Sequence, residues 1–241
     1  MTYPCSSCKT ECLSEMTGTY LLVLIGPSSV VVVSLFGFLS PFEALTLVAL
    51  TFGMTVSAVI MLLGRRSGAH INPAITIAAS LGGDFQPKLV LPYVTFQTVG
   101  GLLAGLSLWI AFGSLHSVSN LGSTKLALNL TPIEGVVIEM LGTFMLAFSA
   151  LSATTIVRGR VRQGILVGST LFVLVLLIGP LTGASFNPVR SLGPSLFSGY
   201  FAYQYVYLVG PIVGAMGAGL IFRAMKSHLR AANKGRIVCL C

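Results

Sequence analysis

Two short stretches of this chain repeat one order of residues around an Asn-Pro pair. The first is Ser67–Ala74 (SGAHINPA) and the second is Thr182–Arg190 (TGASFNPVR). Asn is a preferred N-cap because its side-chain oxygen accepts a hydrogen bond from the first helical turn. Pro is favoured at the next position, where its missing N–H removes no helical bond. Each stretch therefore predicts a helix that begins at Asn-Pro, with amide donors of the Asn left for another partner.

The rest of the chain is too apolar for a soluble domain. Hydrophobic residues make up 54% of the 241 residues and charged residues 8%, whereas soluble domains carry about 25% charged residues. This composition predicts an integral membrane protein. The net charge of +8 does not indicate a nucleic-acid partner, because the basic residues lie at the ends of apolar runs and form no stripe on a polar face.

Six apolar runs are long enough to cross a bilayer, and two are too short. The long runs cover about residues 13–39, 44–64, 89–112, 133–156, 164–179 and 203–225, and the short runs, 73–81 and 188–197, follow the Asn-Pro pairs. Nine helical residues reach about 13 Å, less than half of a hydrocarbon core of about 30 Å. The short runs predict half-helices, and Pro194 should kink or end the hydrogen bonding of the second.

The two halves of the chain repeat the same order of elements. Glu15–Thr19 (EMTGT) opens the first half, and Glu139–Thr143 (EMLGT) opens the second, 124 positions later. Each half has three full spans, an odd number, so the second half must enter from the opposite side as an inverted repeat. We expect a single all-α transmembrane domain over 1–241, with six transmembrane helices, two re-entrant half-helices, repeats at about 13–112 and 133–225, and polar tails 1–12 and 226–241.

The basic residues predict the orientation of the chain in the membrane. With the N-terminus in the cytoplasm, twelve of the 14 Lys and Arg residues lie on the cytoplasmic side, and only Lys125 and Arg190 lie on the outer side. Because Lys and Arg collect in cytoplasmic loops, we expect a multi-pass protein of the cell membrane with both termini in the cytoplasm. The first half-helix then enters from the cytoplasmic side and the second from outside.

A water-filled lumen follows from the two half-helices. Non-helical backbone inside a bilayer persists only where protein covers it or water reaches it, and the segments before both Asn-Pro pairs are non-helical. The half-helix N-termini, each with about +0.5 charge, should meet near the midplane and repel cations. There the amides of Asn72 and Asn187 would donate to a neutral solute. Arg190 adds a full charge, and a buried membrane arginine indicates function.

Three titratable residues leave alternatives open. Glu15 and Glu139 could couple transport to protons or cations, or they could accept N–H bonds from the non-helical segments. Their matched places in the repeat favour the supporting role, since both segments need the same partner. His70 could titrate near neutral pH, or it could be a fixed residue whose carbonyl lines the lumen, and we favour the second interpretation.

Over almost its whole length, the chain resembles the aquaporin family, the major intrinsic proteins. Ser67–Ala74 is similar to that family's first Asn-Pro-Ala box, and Thr182–Pro194 is similar to the second, including its arginine. The two repeated Glu-x-x-Gly-Thr segments match its first and fourth helices, and Tyr93–Gln97 and Tyr207–Pro211 match its third and sixth. The resemblance implies a homotetramer with one pore per subunit, which conducts water or small neutral solutes passively. No enzymatic activity, cofactor or metal is expected.

The resemblance also implies a narrow selectivity filter, at positions counted from the two asparagines. Its members would be Phe52, Val175, Ala184 and Arg190. Water-selective members of the family often have His where this chain has Val175, and glycerol-conducting members pair two aromatic residues where this chain has one. The filter should therefore be wider and more apolar than a strict water filter, as in archaeal aquaporins.

The pore centre and the lumen wall follow from the same resemblance. The centre should comprise Asn72, Pro73, Ala74, Asn187, Pro188 and Val189, and the carbonyls that line the lumen should belong to Gly68, Ala69, His70, Gly183, Ala184 and Ser185. The family usually has Ala at the position of Val189, whose extra methyl groups we expect to pack where the half-helices meet. A water that accepts from both asparagines cannot at that moment relay a proton. A glycerol facilitator remains the alternative function, and an ion-coupled transporter is less favoured.

The cysteine positions predict that mercurials will not block the lumen. All five cysteines lie near the termini, at Cys5, Cys8, Cys12, Cys239 and Cys241, and the filter position 184 is Ala. Water flux into proteoliposomes, measured by stopped-flow light scattering, should be the same with and without mercuric chloride. An Ala184→Cys variant is the positive control and should be blocked. Block of the unaltered protein that disappears when the terminal cysteines are removed would contradict this prediction.

Overall fold

The fold is entirely helical in a computed structural model that describes residues 8–35, 39–115 and 119–237. Within those residues the helices are α1 (Cys8–Leu35), α2 (Pro41–Leu63), α3 (Pro73–Leu81), α4 (Val90–Phe112), α5 (Pro132–Ile156), α6 (Arg160–Thr182), α7 (Pro188–Ser198) and α8 (Val206–Ile237). Six of them are long and apolar enough to span a membrane, while α3 and α7 have nine and 11 residues. The predicted class, six spans and two half-helices, is confirmed.

The helices extend beyond several of the predicted spans. Helix α1 begins at Cys8, inside the predicted polar tail, α6 covers Arg160–Thr182 and not only 164–179, and α8 continues to Ile237. An apolar run marks the part of a helix that faces hydrocarbon, whereas helical hydrogen bonding continues into the polar zone. Helix α7 also does not end at Pro194 but continues to Ser198. Of the five cysteines, Cys12 is buried, and those at positions 5, 239 and 241 lie outside the described residues.

Both half-helices begin at their Asn-Pro pairs, as predicted. Asn72 has an extended backbone, and its Oδ1 accepts from the Ala74 N–H at 2.9 Å. Asn187 is extended in the same way, and its Oδ1 accepts from the Val189 N–H at 3.0 Å. In both helices Pro occupies the first helical position. The local chemistry of two residues therefore fixes where each half-helix starts.

Helix packing follows the inverted repeat. Helix α1 packs on α2 and α4, α5 packs on α6 and α8 in the same way, and α2 packs on α6 to join the halves. Each half-helix crosses to the other repeat, because α3 lies against α8 and α7 lies against α4. The half-helices are therefore held by both repeats at once.

Two glycines allow the outer helices of each half to touch through their backbones. A Cβ added at Gly100 of α4 would lie 2.2 Å from the Met16 carbonyl oxygen of α1. At the matching place in the second half, a Cβ at Gly214 of α8 would lie 2.0 Å from the Met140 carbonyl oxygen of α5. Such close approach between membrane helices requires small residues. Gly100 and Gly214 therefore serve packing within one subunit.

The non-helical segments before the half-helices adopt a strained backbone. We call residues 67–72 the first re-entrant segment and residues 182–187 the second. Positive φ angles occur at matching places in both, at Gly68, Ala69 and Ile71 and at Gly183, Ala184 and Phe186. Residues with a Cβ rarely adopt positive φ, and such strain persists only where the surroundings hold it.

Glu15 holds the first re-entrant segment. Its Oε1 accepts from the His70 N–H at 3.0 Å, and its Oε2 accepts from the Ile71 N–H at 2.6 Å. Gln97 of α4 donates to Oε2 as well, at 2.8 Å. The carboxylate is completely buried. It therefore supplies acceptors to two adjacent N–H groups that the bend leaves without helical partners.

Glu139 holds the second segment in the same manner. Its Oε1 accepts from the Ser185 N–H at 2.9 Å and from the Thr182 hydroxyl at 2.6 Å, and its Oε2 accepts from the Phe186 N–H at 2.8 Å. It too is completely buried. These contacts are the ones that a supporting role requires of both acids.

The glycine of each Glu-x-x-Gly-Thr segment receives the side chain beside the asparagine. A Cβ at Gly18 would lie 2.6 Å from Ile71 Cγ2, and one at Gly142 would lie 2.2 Å from Phe186 Cε1. Within one helical turn, the motif therefore serves one residue of the re-entrant segment, Ile71 or Phe186, in two ways. Its glutamate accepts from the backbone N–H of that residue, and its glycine leaves space for the side chain.

Replacement of Glu139 by Gln should destabilise the fold. The amide NH₂ would face a donor of the second segment where an oxygen now accepts, and a buried donor without an acceptor costs about 1–3 kcal/mol. Thermal unfolding in detergent measures the loss. Glu134→Gln is the matched control on the same helix, because Glu134 is an exposed acid of the α5 capping box with Thr131. Equal losses for the two variants would contradict the supporting role.

Candidate transport pathway

The two asparagines tie the re-entrant segments to each other. Asn72 Nδ2 donates to the Phe186 carbonyl at 2.8 Å, and Asn187 Nδ2 donates to the Ile71 carbonyl at 3.0 Å. Each bond joins one segment to the residue that precedes the other asparagine. Each NH₂ group has two protons, so one N–H of each asparagine remains. The sequence assigned no protein partner to either N–H of each amide, and in the fold one N–H of each donates to the opposite segment.

A cavity of about 1590 Å³ passes both asparagines. One end carries the basic residues Arg65, Arg66, Arg160, Arg223 and Lys226. Phe52 and Arg190 also belong to its lining, beside a second cavity of about 230 Å³. Phe52 and Arg190 line both cavities, so they form the partition between the two.

The predicted lumen residues line these cavities, with some exceptions. Those that line the large cavity are Gly68, Ala69, His70, Asn72, Ala184, Ser185 and Asn187. Val175 and Gly183 line only the small one. The four remaining residues of the predicted pore centre line neither of the two cavities, and they are Pro73, Ala74, Pro188 and Val189. These four begin the half-helices and do not form the wall.

Carbonyl groups in the re-entrant segments are available to the cavity. Among the described residues, no hydrogen bond within the protein engages the carbonyls of Ala69, His70, Ala184 or Ser185. All four residues line the large cavity. Buried carbonyls need partners, so a polar molecule in the cavity would find acceptors there and donors at the asparagines.

His70 is held in place by its neighbours. Its Nδ1 lies 3.2 Å from Thr76 Oγ1, and its ring lies edge-on to Phe85 with centroids 4.8 Å apart. Gln97 donates to both Thr76 Oγ1 and Glu15, at 2.9 and 2.8 Å. The imidazole therefore belongs to the network that holds the first re-entrant segment, as the fixed interpretation of His70 requires.

Arg190 is buried at the partition, with 3% of its surface exposed. Its Nη1 donates to the Gly122 carbonyl at 2.9 Å, and its Cζ lies 4.9 Å from the centre of the Phe52 ring. A guanidinium at this distance from an aromatic face is attracted by the ring. The Nε atom is buried, and none of the described residues accepts from it.

The connector between α4 and α5 contributes to this site. Leu121 and Thr124 are buried. Gly122 provides the acceptor for Arg190, and Thr124 donates to Ser191 Oγ of α7 at 2.9 Å. Nothing in the local sequence distinguishes Gly122 from an ordinary loop glycine. Its role depends on a contact between residues 68 positions apart.

Val189 does not project into the pathway. Its Cγ1 points at α4, 2.0 Å from where a Cβ on Gly101 would stand. Gly101 therefore provides the space that the larger side chain needs. The departure from Ala at this position is accommodated inside the protein, away from the cavity.

Comparison with known proteins identifies the family. The family model for the major intrinsic proteins matches residues 4–222. Aquaporin NIP1-1 of Arabidopsis thaliana is 36% identical over 222 residues, which cover 89% of this chain and 73% of that protein. Nodulin-26 of Glycine max is 33% identical, with 89% and 77% covered.

An archaeal protein and a solved structure extend the comparison. AqpM of Archaeoglobus fulgidus is 32% identical, with 87% of this chain and 94% of that protein covered. The crystal structure of the aquaglyceroporin from Plasmodium falciparum superposes with a TM-score of 0.77 at 22% identity, and it covers 90% of this chain and 94% of that one. At that identity the structural match shows a shared fold. From the family model and the relatives, the chain belongs to the major intrinsic protein family, the aquaporins, and it is a multi-pass membrane channel, passive for water and small solutes.

Proposed function

We propose that water and small neutral solutes cross the membrane through the large cavity, past Asn72 and Asn187, and then past Phe52 and Arg190 into the small cavity. One observation carries the proposal. The cavity is lined by both asparagines, and each amide keeps one N–H after its bond to the opposite segment. A solute at this point meets two donors, and on either side it meets carbonyl acceptors. Such a lining binds water well enough to admit it and weakly enough to release it.

Protons and cations are excluded at the same place. The N-termini of α3 and α7 each contribute about +0.5 charge, and Arg190 adds a full charge at the partition. A water that accepts from Asn72 and Asn187 together has both lone pairs engaged, so it cannot accept a proton from a neighbouring water. Cations would lose hydration without gaining a counter-charge.

The filter comprises Phe52, Val175, Ala184 and Arg190. Only one of these is aromatic, and Val175 and Ala184 are short, so the opening admits small polyols besides water. The walls of the small cavity favour glycerol as the second candidate substrate. They include Val30, Val33, Leu45 and Val48. These apolar side chains can pack against the carbon chain of a polyol, while Arg190 can donate hydrogen bonds to its hydroxyl groups.

An ion-coupled transporter has less support. Coupling through Glu15 or Glu139 would require a carboxylate that the permeating ion can reach. Both are completely buried, neither lines the cavities described above, and both accept bonds from the re-entrant segments. The acids therefore serve the fold. We likewise propose a non-enzymatic protein.

The proposal extends to orientation and assembly. The basic end of the cavity faces the cytoplasm, together with both termini, in a cell membrane. Large apolar side chains cover the outer faces of the spanning helices, among them Leu62, Leu91, Ile110 and Ile133. These faces meet lipid, and in part they meet the neighbouring subunits of a homotetramer.

Replacement of Arg190 by Ala should open the filter. Removal of the guanidinium widens the partition and deletes its charge, so glycerol permeability should rise about tenfold and cations should begin to leak. Stopped-flow light scattering and ion-flux dyes in proteoliposomes measure both. Arg158→Ala is the matched control, because Arg158 is an exposed residue of the link between α5 and α6. Unchanged selectivity in Arg190→Ala contradicts the filter assignment, and wild-type water flux no higher than in empty vesicles contradicts the proposed function.

Replacement of Val189 by Ala should leave permeation unchanged. Its Cγ1 packs at Gly101 of α4 and the residue lines neither cavity, so the variant loses packing but not lumen wall. Thermal stability in detergent should fall, while the ratio of water to glycerol permeability should equal that of the wild type. A changed ratio would show that Val189 sets the lumen width after all.

A further inference from the structure

Phe52 and Arg190 both depend on one dipeptide of α1, Gly26-Pro27. Phe52 touches Gly26 directly, and Arg190 is linked to Pro27 through Gly122. None of the four proposed filter residues belongs to helix α1. Its contacts nevertheless lie behind both side chains that separate the large cavity from the small one.

The Phe52 ring lies against bare backbone at Gly26. A Cβ at Gly26 would stand 2.2 Å from Cε1 of the ring, 2.5 Å from Cζ and 2.7 Å from Cδ1. Unbonded carbon atoms approach to about 3.5 Å, so no residue other than Gly fits beneath the ring in its present position. Phe52 is 4% exposed, and its ring occupies the space that a side chain at position 26 would fill.

Pro27 supports the other side of the partition. A Cβ on Gly122 would lie 2.6 Å from the Pro27 carbonyl oxygen and 2.8 Å from its Cα. Gly122 has φ +73°, which glycine adopts without strain. Its carbonyl accepts from Arg190 Nη1 at 2.9 Å. The guanidinium is therefore positioned against α1 through a single intervening residue.

We propose that Gly26 and Pro27 are positioning residues that set the width of the filter and so decide whether small polyols pass with water. The inference rests on the proposed function, since it concerns the same filter. Gly26 gives the Phe52 ring a recess in α1 and keeps it out of the opening. Pro27 fixes the distance of Gly122, and with it Arg190, from that recess.

The direction of the effect follows from what surrounds the ring. With a methyl group at position 26, the ring must withdraw by about 1.3 Å to reach carbon–carbon contact of about 3.5 Å. The clash is with the far end of a side chain, which can rotate, so the backbone need not move. The Arg190 Cζ lies 4.9 Å from the centre of the Phe52 ring, and Phe52 lines both cavities. The displaced ring therefore narrows the opening.

Gly26→Ala tests the inference in proteoliposomes, with water and glycerol permeability measured by stopped flow. Glycerol permeability should fall at least about tenfold, the effect of a one-carbon misfit in a fitted site, and water permeability should fall less. Gly217→Ala is the matched control: it makes the same change within α8, where a Cβ would lie 3.6 Å from Phe144. A water-to-glycerol ratio for Gly26→Ala equal to that of Gly217→Ala overturns the inference.

A double variant keeps the test valid if Gly26→Ala folds poorly. Phe52→Leu removes the ring, so the pair Gly26→Ala with Phe52→Leu should fold, and its permeabilities should equal those of Phe52→Leu alone. An effect of Gly26→Ala that persists without the ring overturns the inference. Absent water flux in the wild type would instead refute the proposed function. Normal wild-type flux with a response to Arg190→Ala, but none to Gly26→Ala, would refute the inference alone.

Discussion

The hydrogen bonds between each asparagine amide and the carbonyl before the other asparagine are the interaction on which the lumen depends. Asn72 reaches Phe186 and Asn187 reaches Ile71. In hydrocarbon there is no water to bond the backbone N–H and C=O groups that leave a helix, and each unsatisfied group costs several kcal/mol. Two segments that leave helical geometry in mid-membrane must therefore satisfy one another. By doing so they place their remaining donors and acceptors along the cavity between them.

The buried acids make that arrangement rigid. Glu15 and Glu139 each accept from two consecutive backbone N–H groups of a re-entrant segment. Because these bonds turn the N–H groups toward the protein, the carbonyls of the same segments are left for the cavity. The lumen is thus polar on the side of the segments. The acids that looked able to couple ions act instead as fixed acceptors behind the wall.

The sequence was sufficient wherever local chemistry decides. Asn72 and Asn187 start half-helices because of their own side chains and the prolines that follow, and the repeat of Glu15 at Glu139 marked the inverted halves. It was insufficient where contacts join distant residues. Gly122 lies between two apolar runs with no local signal of a role, yet its carbonyl accepts from Arg190. Val189 stands where the family usually has Ala, and a glycine on α4 receives its Cγ1 methyl group.

The two halves differ at the positions that correspond to Gly26 and Phe52. Counted from the two repeated glutamates, the counterpart of Gly26 is Ala150, and counted from the asparagines, the counterpart of Phe52 is Val167. Ala150 and Val167 both line the large cavity. The glycine beneath the aromatic ring in one half thus corresponds in position to an alanine in the other half, and the ring corresponds to a valine. An aromatic ring needs the recess, whereas a valine leaves room for a methyl group. The fold repeats, whereas the residues at these two positions change as a pair.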